Sequence, residues 1–169
     1  MNNKNREIER KFLVQEKNLP NLTKMNYMDI VQGYFTDFHS EYIYRLRQVL
    51  FKSHEGDMMG EDYYQTIKGT GTKERDEYDK RIWRDTFSAF WPLCRDISLH
   101  KNRYEMKSGD ALIQLDIYKN GLEGLFTVEV EFQNIEDCDS YIPPEWFGEE
   151  VTEDVRYSNL QLAVNGIPK

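Results

Sequence analysis

The hexapeptide "EIERKF", residues 7–12, brings acidic and basic side chains together near the start of the chain. In an extended strand successive side chains point to opposite faces, so Glu7, Glu9 and Lys11 share one face. Carboxylate oxygens suit hard cations such as Mg²⁺ or Mn²⁺ rather than zinc, and an ammonium group attracts anions. The stretch is therefore either part of an ion-binding site or an ordinary solvated surface.

Ionisable side chains with the same period of two recur along the chain. Seven of the eight predicted strands carry such a face: Glu7, Glu9 and Lys11; Arg45 and Arg47; Thr66 and Lys68; Arg75, Glu77 and Asp79; Lys101, Arg103 and Glu105; Gln114, Asp116 and Tyr118; Glu129 and Glu131. For any one strand, a solvated face is the ordinary explanation. Here the tight Arg and Glu sets and the apolar opposite faces favour charged faces that point inward. They would then line a wet cavity that holds ions and a polyanion, because burying an unpaired charge is costly.

The elements that would position these residues are mostly strands. They are predicted over residues 6–14, 27–36, 41–51, 62–69, 75–83, 99–107, 111–119 and 125–132, with a possible bulge at Gly33. Helices are predicted over 85–97, with Asp85 or Thr86 as N-cap, and over 157–166, ending at Gly166. Similar strand lengths and tight turns indicate a mainly β (α+β) protein, an eight-stranded antiparallel closed β-barrel.

Composition narrows the class of protein. The 169 residues fit one domain over 1–169, and the net charge of −8 argues against binding nucleic acid or anionic membranes. No apolar run approaches a membrane span, and the first residues lack the apolar core of a signal peptide. Cys94 and Cys138 are predicted to be reduced structural thiols. These observations predict a cytoplasmic protein and leave its oligomeric state undecided.

The ordered motifs resemble the CYTH superfamily, the triphosphate tunnel metalloenzymes. "EIERKFLV" matches its ExExK signature, and "QGYFT", "YRLRQ", "TIKG", "KNRY", "VEVEF" and "IPPEWFGEEVTEDVRYSN" follow in the expected order. The last stretch is most similar to the short bacterial branch, the inorganic tripolyphosphatases. The resemblance covers nearly the whole chain and implies a tunnel with helices packed outside and a C-terminal plug helix. It also implies that Mg²⁺ or Mn²⁺ supports hydrolysis of a small-molecule triphosphate.

The resemblance also implies roles for particular residues. Substrate phosphates are expected to bind five cations: Arg45, Arg47, Lys68, Arg103 and Arg156. Metal is expected at five carboxylates: Glu7, Glu9, Asp116, Glu129 and Glu131. Catalysis is expected to involve Lys11, Tyr34 and Lys101, with Tyr34 paired to the lysine of ExExK. From the residues alone, Tyr34 could equally be a structural hydroxyl and Arg156 a surface residue, and Arg75 could contact substrate or pair with nearby carboxylates.

Three other functions are left open by the sequence. An adenylyl cyclase is disfavoured because the His-Phe pair that precedes ExExK in that branch is missing here. A thiamine triphosphatase would need an aromatic platform, for which Trp83, Trp91 and Trp146 are candidates, although packing against the core is the expected fate of each. A polyphosphate or nucleotide binding module without turnover would not need so many carboxylates.

Overall fold

A computed structural model describes residues 5–35, 42–69, 74–109 and 111–169, and for residues 5–7, 74–77 and 108 it describes the backbone alone. These parts of the chain form eight strands: β1 Asn5–Leu13, β2 Tyr27–Phe35, β3 Tyr42–Lys52, β4 Met58–Gly69, β5 Glu74–Ile82, β6 Ser98–Ser108, β7 Ala111–Lys119 and β8 Phe126–Glu131. The helices are α1 Arg84–Cys94, α2 Ile135–Ser140 and α3 Asn159–Asn165, with 3-10 turns at Glu16–Asn18 and Val155–Tyr157. The predicted mainly β class is confirmed.

All strand pairs are antiparallel, in the order β1-β5-β4-β3-β2-β6-β7-β8. β1 contacts both ends of this order, but over different halves: Asn5–Ile8 pairs with β5 and Glu9–Leu13 pairs with β8. Beyond Ile8, the edge of β1 that faces away from β8 bonds to residues 148–152 instead of β5. The eight-stranded antiparallel sheet is confirmed, whereas a barrel closed by strands along its whole length is not.

Apolar side chains lie on the outer face of the sheet, under the helices. One cluster joins strands β1, β7 and β8 to α2 and the loop after it, and contains Ile8, Phe12, Ile113, Leu115, Val128, Val130, Cys138 and Phe147. Helix α1 packs Phe87 and Cys94 on β3 and β4. Both cysteines are buried, and neither forms a disulfide. Because the outer faces are apolar, the alternate, charged faces point to the interior, as the period of two predicts.

Helix α3 packs at one end of the sheet rather than on its outer face. Its Leu162 is buried against Leu99 of β6, Tyr118 of β7 and the turn that follows β7. Leu99 and Tyr118 belong to the inward-facing sets of their strands, so α3 lies across the opening of the interior.

Several local predictions are wrong. β4 begins at Met58 rather than Asp62, and Trp83, not Asp85 or Thr86, is the N-cap of α1. Gly33 is not a bulge, because β2 pairs in unbroken register with β3. A Cβ atom at Gly33 would lie 2.6 Å from the carbonyl oxygen of Cys94, so glycine lets α1 pack closely on the sheet. In the described residues no helix is long and apolar enough to cross a membrane.

Candidate active site

The inward faces of the strands surround a cavity of about 590 Å³. Its walls contain most of the predicted ionisable residues, together with part of the C-terminal segment, residues 148–169. The lining includes Glu9, Lys11, Tyr34, Arg45, Arg47, Lys68, Asp79, Lys101, Arg103, Glu105, Gln114, Glu129, Glu131, Tyr157, Ser158, Asn159 and Gln161. An apolar strip from β2 and β3 completes the wall: Met28, Ile30, Val49 and Phe51. The charged faces of the strands are therefore the lining of one cavity rather than a solvated exterior.

One wall of the cavity is a buried network of alternating charges on β1, β6, β7 and β8. Lys11 Nζ lies 2.9 Å from Glu129, its partner in the β1–β8 register. Arg103 donates from Nε and Nη2 to both oxygens of Asp116, each at 2.7 Å, and also bonds Glu129 and Gln114. Lys101 donates to Asp116 at 2.5 Å. Three cations and two carboxylates thus share one buried network on this wall.

Neighbouring charges separate the pKa values of the two buried cavity lysines. Burial and the positive charge of Arg103 lower the pKa of Lys101 to about 8. For Lys11 burial also opposes the charged form, but Glu129 and Glu9 outweigh it and raise the pKa. Burial likewise opposes ionisation of Glu129, yet the neighbouring cations, Lys11 first, hold its pKa well below the ordinary value. Near neutral pH this wall therefore carries charged side chains rather than neutral ones.

The opposite wall presents Arg45 and Arg47 from β3. Arg45 Nη2 donates to the Thr66 hydroxyl at 2.9 Å, and that hydroxyl donates to Asp79 at 2.5 Å. Arg47 lies 3.7 Å from Asp79 and places its guanidinium 5.2 Å from the ring centroid of Tyr64. These contacts orient two forked donors toward the cavity, where guanidinium groups bind phosphate oxygens well. Lys68 lines the same cavity.

The predicted metal ligands divide into two groups. Glu9, Glu129 and Glu131 line the cavity, and Glu9 lies directly opposite Glu131 in the register. Asp116 is completely buried behind Lys101 and Arg103 and is absent from the cavity lining. The side chain of Glu7, like those of Arg75 and Glu77, lies outside the described residues. Among the side chains that are described, no three acidic, histidine or cysteine groups are arranged to hold a metal by themselves.

The donors nevertheless fit a hard cation that also binds a phosphate. Two like charges opposite each other on neighbouring strands repel, and a cation between Glu9 and Glu131 would remove that repulsion. Mg²⁺ is commonly bound by one or two protein carboxylates, and substrate phosphates and water complete its octahedron. A pair of carboxylates that faces a phosphate-binding wall is a suitable donor set of this kind.

Tyr34 lies in the cavity wall but contacts a residue other than the predicted one. Its hydroxyl accepts a hydrogen bond from Gln32 at 2.6 Å, whereas Lys11 donates to the carbonyl oxygen of Tyr157 and pairs with Glu129. Burial raises the pKa of Tyr34 to about 12, so the hydroxyl stays protonated near neutral pH. Because its oxygen accepts from Gln32, the hydroxyl can donate its own hydrogen to a ligand.

Arg156 is not brought to the cavity. Its side chain is 63% exposed and pairs with Asp154. Trp83 is 85% exposed, so its predicted place in the core is wrong, while Trp91 and Trp146 pack against apolar clusters as predicted. None of the three tryptophans lines the cavity described above.

Sequence reasoning missed several residues that the cavity contains. Gln32 could have been found, because it shares a strand face with Tyr34. Tyr157 and Asn159 could not, since they belong to a segment whose position depends on its distant pairing with β1. Glu105 and Gln114 were on predicted faces and hydrogen bond each other at 3.0 Å, but no role was assigned to them.

Proteins that are similar to this chain in sequence and structure include inorganic triphosphatases. No protein-family model matches the chain. The chain is 38% identical over 160 residues to an inorganic triphosphatase of Nitrosomonas europaea, covering 94% of this chain and 97% of that protein. An inorganic triphosphatase of Acetivibrio thermocellus is 29% identical, covering 95% of this chain and 94% of that protein. A crystal structure of an inorganic triphosphatase superposes with a TM-score of 0.65 at 37% identity, covering 96% and 97% of the two chains. The chain therefore belongs to the inorganic triphosphatase family, as the resemblance of its motifs predicts.

Proposed function

We propose that this protein hydrolyses inorganic tripolyphosphate to pyrophosphate and phosphate inside the cavity. The observation that carries the proposal is the composition of the cavity wall. Guanidinium groups from β3 and β6 face the same space as carboxylates from β1 and β8. Tripolyphosphate carries several negative charges, so it needs both protein cations and metal to enter a cavity that also contains carboxylates. The family relationship supports the same substrate class.

The sheet acts in this proposal as a tunnel closed partly by strands and partly by the C-terminal segment. Residues 148–152 complete the wall beside Lys11–Leu13, and α3 plugs one end. A wall made in this way keeps the phosphates out of bulk water, where the guanidinium contacts would be weaker.

A divalent cation, Mg²⁺ or Mn²⁺, is proposed to bind Glu9 and Glu131, with Glu129 close by and Glu7 as a further predicted donor. When bound, it would supply Lewis-acid stabilisation of charge on the phosphate oxygens. Asp116 is better suited to hold Lys101 and Arg103 in place, because both cations already bond its two oxygens.

The chain's own residues then bind the phosphates and stabilise their charge. Arg45, Arg47 and Arg103 grip non-bridging phosphate oxygens and stabilise the charge that develops as water attacks a terminal phosphorus in line. Lys68 and Lys101 neutralise the phosphate chain. Tyr34, held by Gln32, donates its hydroxyl hydrogen to a phosphate oxygen and does not act as a base, because its pKa is about 12.

Phosphate release from a panel of substrates tests the proposal. Purified protein is incubated with inorganic tripolyphosphate, ATP, thiamine triphosphate and pyrophosphate, each with Mg²⁺ and with Mn²⁺. We expect tripolyphosphate to be hydrolysed far faster than the others, with equal amounts of phosphate and pyrophosphate formed. Cyclic AMP as the main product from ATP, or a clear preference for thiamine triphosphate, would overturn the proposed substrate.

A further inference from the structure

The C-terminal segment touches both cavity lysines, which come from different strands. Lys11 Nζ donates to the carbonyl oxygen of Tyr157 at 2.9 Å. Two residues later, Asn159 Oδ1 accepts from Lys101 Nζ at 3.4 Å and from the Tyr118 hydroxyl at 2.7 Å. A single short segment therefore provides a neutral acceptor to each lysine.

Two anchors determine where residues 157–159 lie. Before them, residues 148–152 pair with the edge of β1 that β5 does not occupy, and a Cβ atom at Gly148 would lie 2.8 Å from the Leu13 carbonyl oxygen. After it, Leu162 is buried in the apolar cluster at the end of the cavity. Ser158 caps α3 by accepting a hydrogen bond from the backbone N–H of Gln161. This cap fixes the first turn of the helix and with it the direction of the Asn159 side chain.

Lys101 is held between two kinds of partner. On one side Asp116 bonds it at 2.5 Å, and on the other side are the Asn159 oxygen and the ring of Tyr118, whose centroid is 5.4 Å from Nζ. Lys101 is 1% exposed, so few other positions are open to its ammonium group. Asp116 already accepts from one N–H of the ammonium group, so acceptance of a second by Asn159 fixes the direction of the third.

We propose that Asn159 is a positioning residue that holds the Lys101 ammonium group toward the substrate, and that Tyr118 orients the Asn159 amide for this task. Because the amide oxygen is neutral, it aligns the ammonium group without cancelling the charge that an anionic substrate needs. The inference rests on the proposed function only for the identity of the anion, inorganic tripolyphosphate.

The test uses the full chain with Asn159→Ala, Tyr118→Phe and the double variant. Asn165→Ala is the matched control, because it removes an amide from the same helix, and within the described residues that amide donates to Gln161 rather than to a lysine of the cavity. Binding is measured by calorimetry with Mg²⁺ and a non-hydrolysable tripolyphosphate analogue, where turnover does not interfere, and phosphate release is measured with tripolyphosphate and Mg²⁺. Thermal melts monitor the fold of each variant.

We expect Asn159→Ala to weaken tripolyphosphate binding by about tenfold, as the loss of a hydrogen bond to a charged group does. Tyr118→Phe should weaken it by about threefold, and the double variant should equal Asn159→Ala, because both act through the same ammonium group. The control should bind and melt like wild type. A merely structural role would lower the melting temperature and leave the dissociation constant of the folded protein unchanged.

Wild-type affinity in folded Asn159→Ala, or a double variant in which the two losses add, would overturn the inference. If Asn159→Ala fails to fold, Tyr118→Phe decides, since it leaves the amide and the helix intact. If wild type binds tripolyphosphate but releases no phosphate, the proposed function fails, and the ratio of affinities still judges the inference. A wild-type protein that does not bind tripolyphosphate overturns both.

Discussion

Replacing Glu9 by Gln tests whether the acidic face of β1 serves ligand binding at the expense of stability. Glu9 is buried in the cavity wall directly opposite Glu131, and like charges in such a pair cost roughly 0.2–1 kcal/mol. The same carboxylate attracts Lys11, which offsets part of that cost. For a domain of this size about 1 kcal/mol corresponds to roughly 2–4 °C. We therefore expect the metal-free variant to melt within a few degrees of wild type, or higher.

The response to ligand should separate the two proteins. Ligand at 100 times its dissociation constant stabilises a protein by about 2.7 kcal/mol, which corresponds to roughly 5–11 °C here. If Glu9→Gln weakens binding tenfold, about 1.4 kcal/mol of that stabilisation disappears. The assay is a pair of thermal melts, without ligand and with Mg²⁺ plus a non-hydrolysable tripolyphosphate analogue, beside one measurement of phosphate release.

Glu145→Gln, an exposed change of the same charge, is the control and should respond to ligand like wild type. An active Glu9→Gln enzyme with the full ligand-induced shift would refute the reasoning. It would show that this carboxylate has no part in metal or substrate binding.

Four further outcomes are expected. Glu129→Gln should reduce turnover by about a hundredfold, because it removes the partner of Lys11 and Arg103 and a carboxylate of the proposed metal site; unchanged kcat would contradict this. Arg103→Ala should both weaken substrate binding and destabilise the fold by about 3–5 kcal/mol in denaturant melts, since Asp116 and Glu129 lose a buried partner; equal stability would contradict the buried network. Because the pKa of Lys101 is about 8, its ammonium group loses its charge as pH rises through 8, so KM for tripolyphosphate should increase above that pH, and Lys101→Met should abolish the increase. Excess EDTA should stop phosphate release and Mg²⁺ should restore it, while Ca²⁺, which tolerates looser geometry, should compete without supporting comparable turnover; full activity in EDTA would exclude metal dependence.

The lowered pKa of Lys101 also predicts how the free energy of unfolding changes with pH. Its pKa in the folded protein lies below the ordinary value of about 10.4, so the unfolded chain binds more protons between these values. This group alone therefore makes the free energy of unfolding larger as pH rises from about 8 to about 10.4. Substrate binding changes in the opposite direction over the same range, because it needs the charged form. Comparing melts with KM across this range separates the two effects.

That apolar and charged side chains lie on opposite faces of each strand could be predicted because a strand has a strict period of two. Once Val128 and Val130 are assigned to the apolar core, Glu129 must point the other way, and Lys11 likewise points away from its core neighbour Phe12. The family motifs identified the guanidinium groups of β3 and β6 correctly as cavity residues. These assignments depend on local alternation alone, which the order of residues determines.

The positions of Asp116 and Arg156 and the partner of Lys11 could not be predicted, because they depend on distances in the folded protein that the order of residues does not give. Asp116 shares the inward face of β7, but only the packing of β6 against β7 shows that Lys101 and Arg103 cover it. Arg156 follows the cavity-lining Asp154 by two residues, yet its side chain turns outward to pair with that carboxylate. In both cases the role of the side chain depends on which charged groups lie within hydrogen-bonding distance of it in the folded protein.

The sequence by itself determined which strands form, which of their faces carry charge and which family the chain resembles, because these follow from residue type and spacing. Only the tertiary structure decided how the wall of the cavity is completed. β5 leaves the edge of β1 after Ile8, and residues 148–152, distant in sequence, take that edge by backbone hydrogen bonds that any residues could make, with Gly148 allowing the close approach. That pairing brings Tyr157 and Asn159 to the two lysines. It depends on contacts between residues far apart in sequence, since Lys11 and Tyr157 are separated by 146 positions.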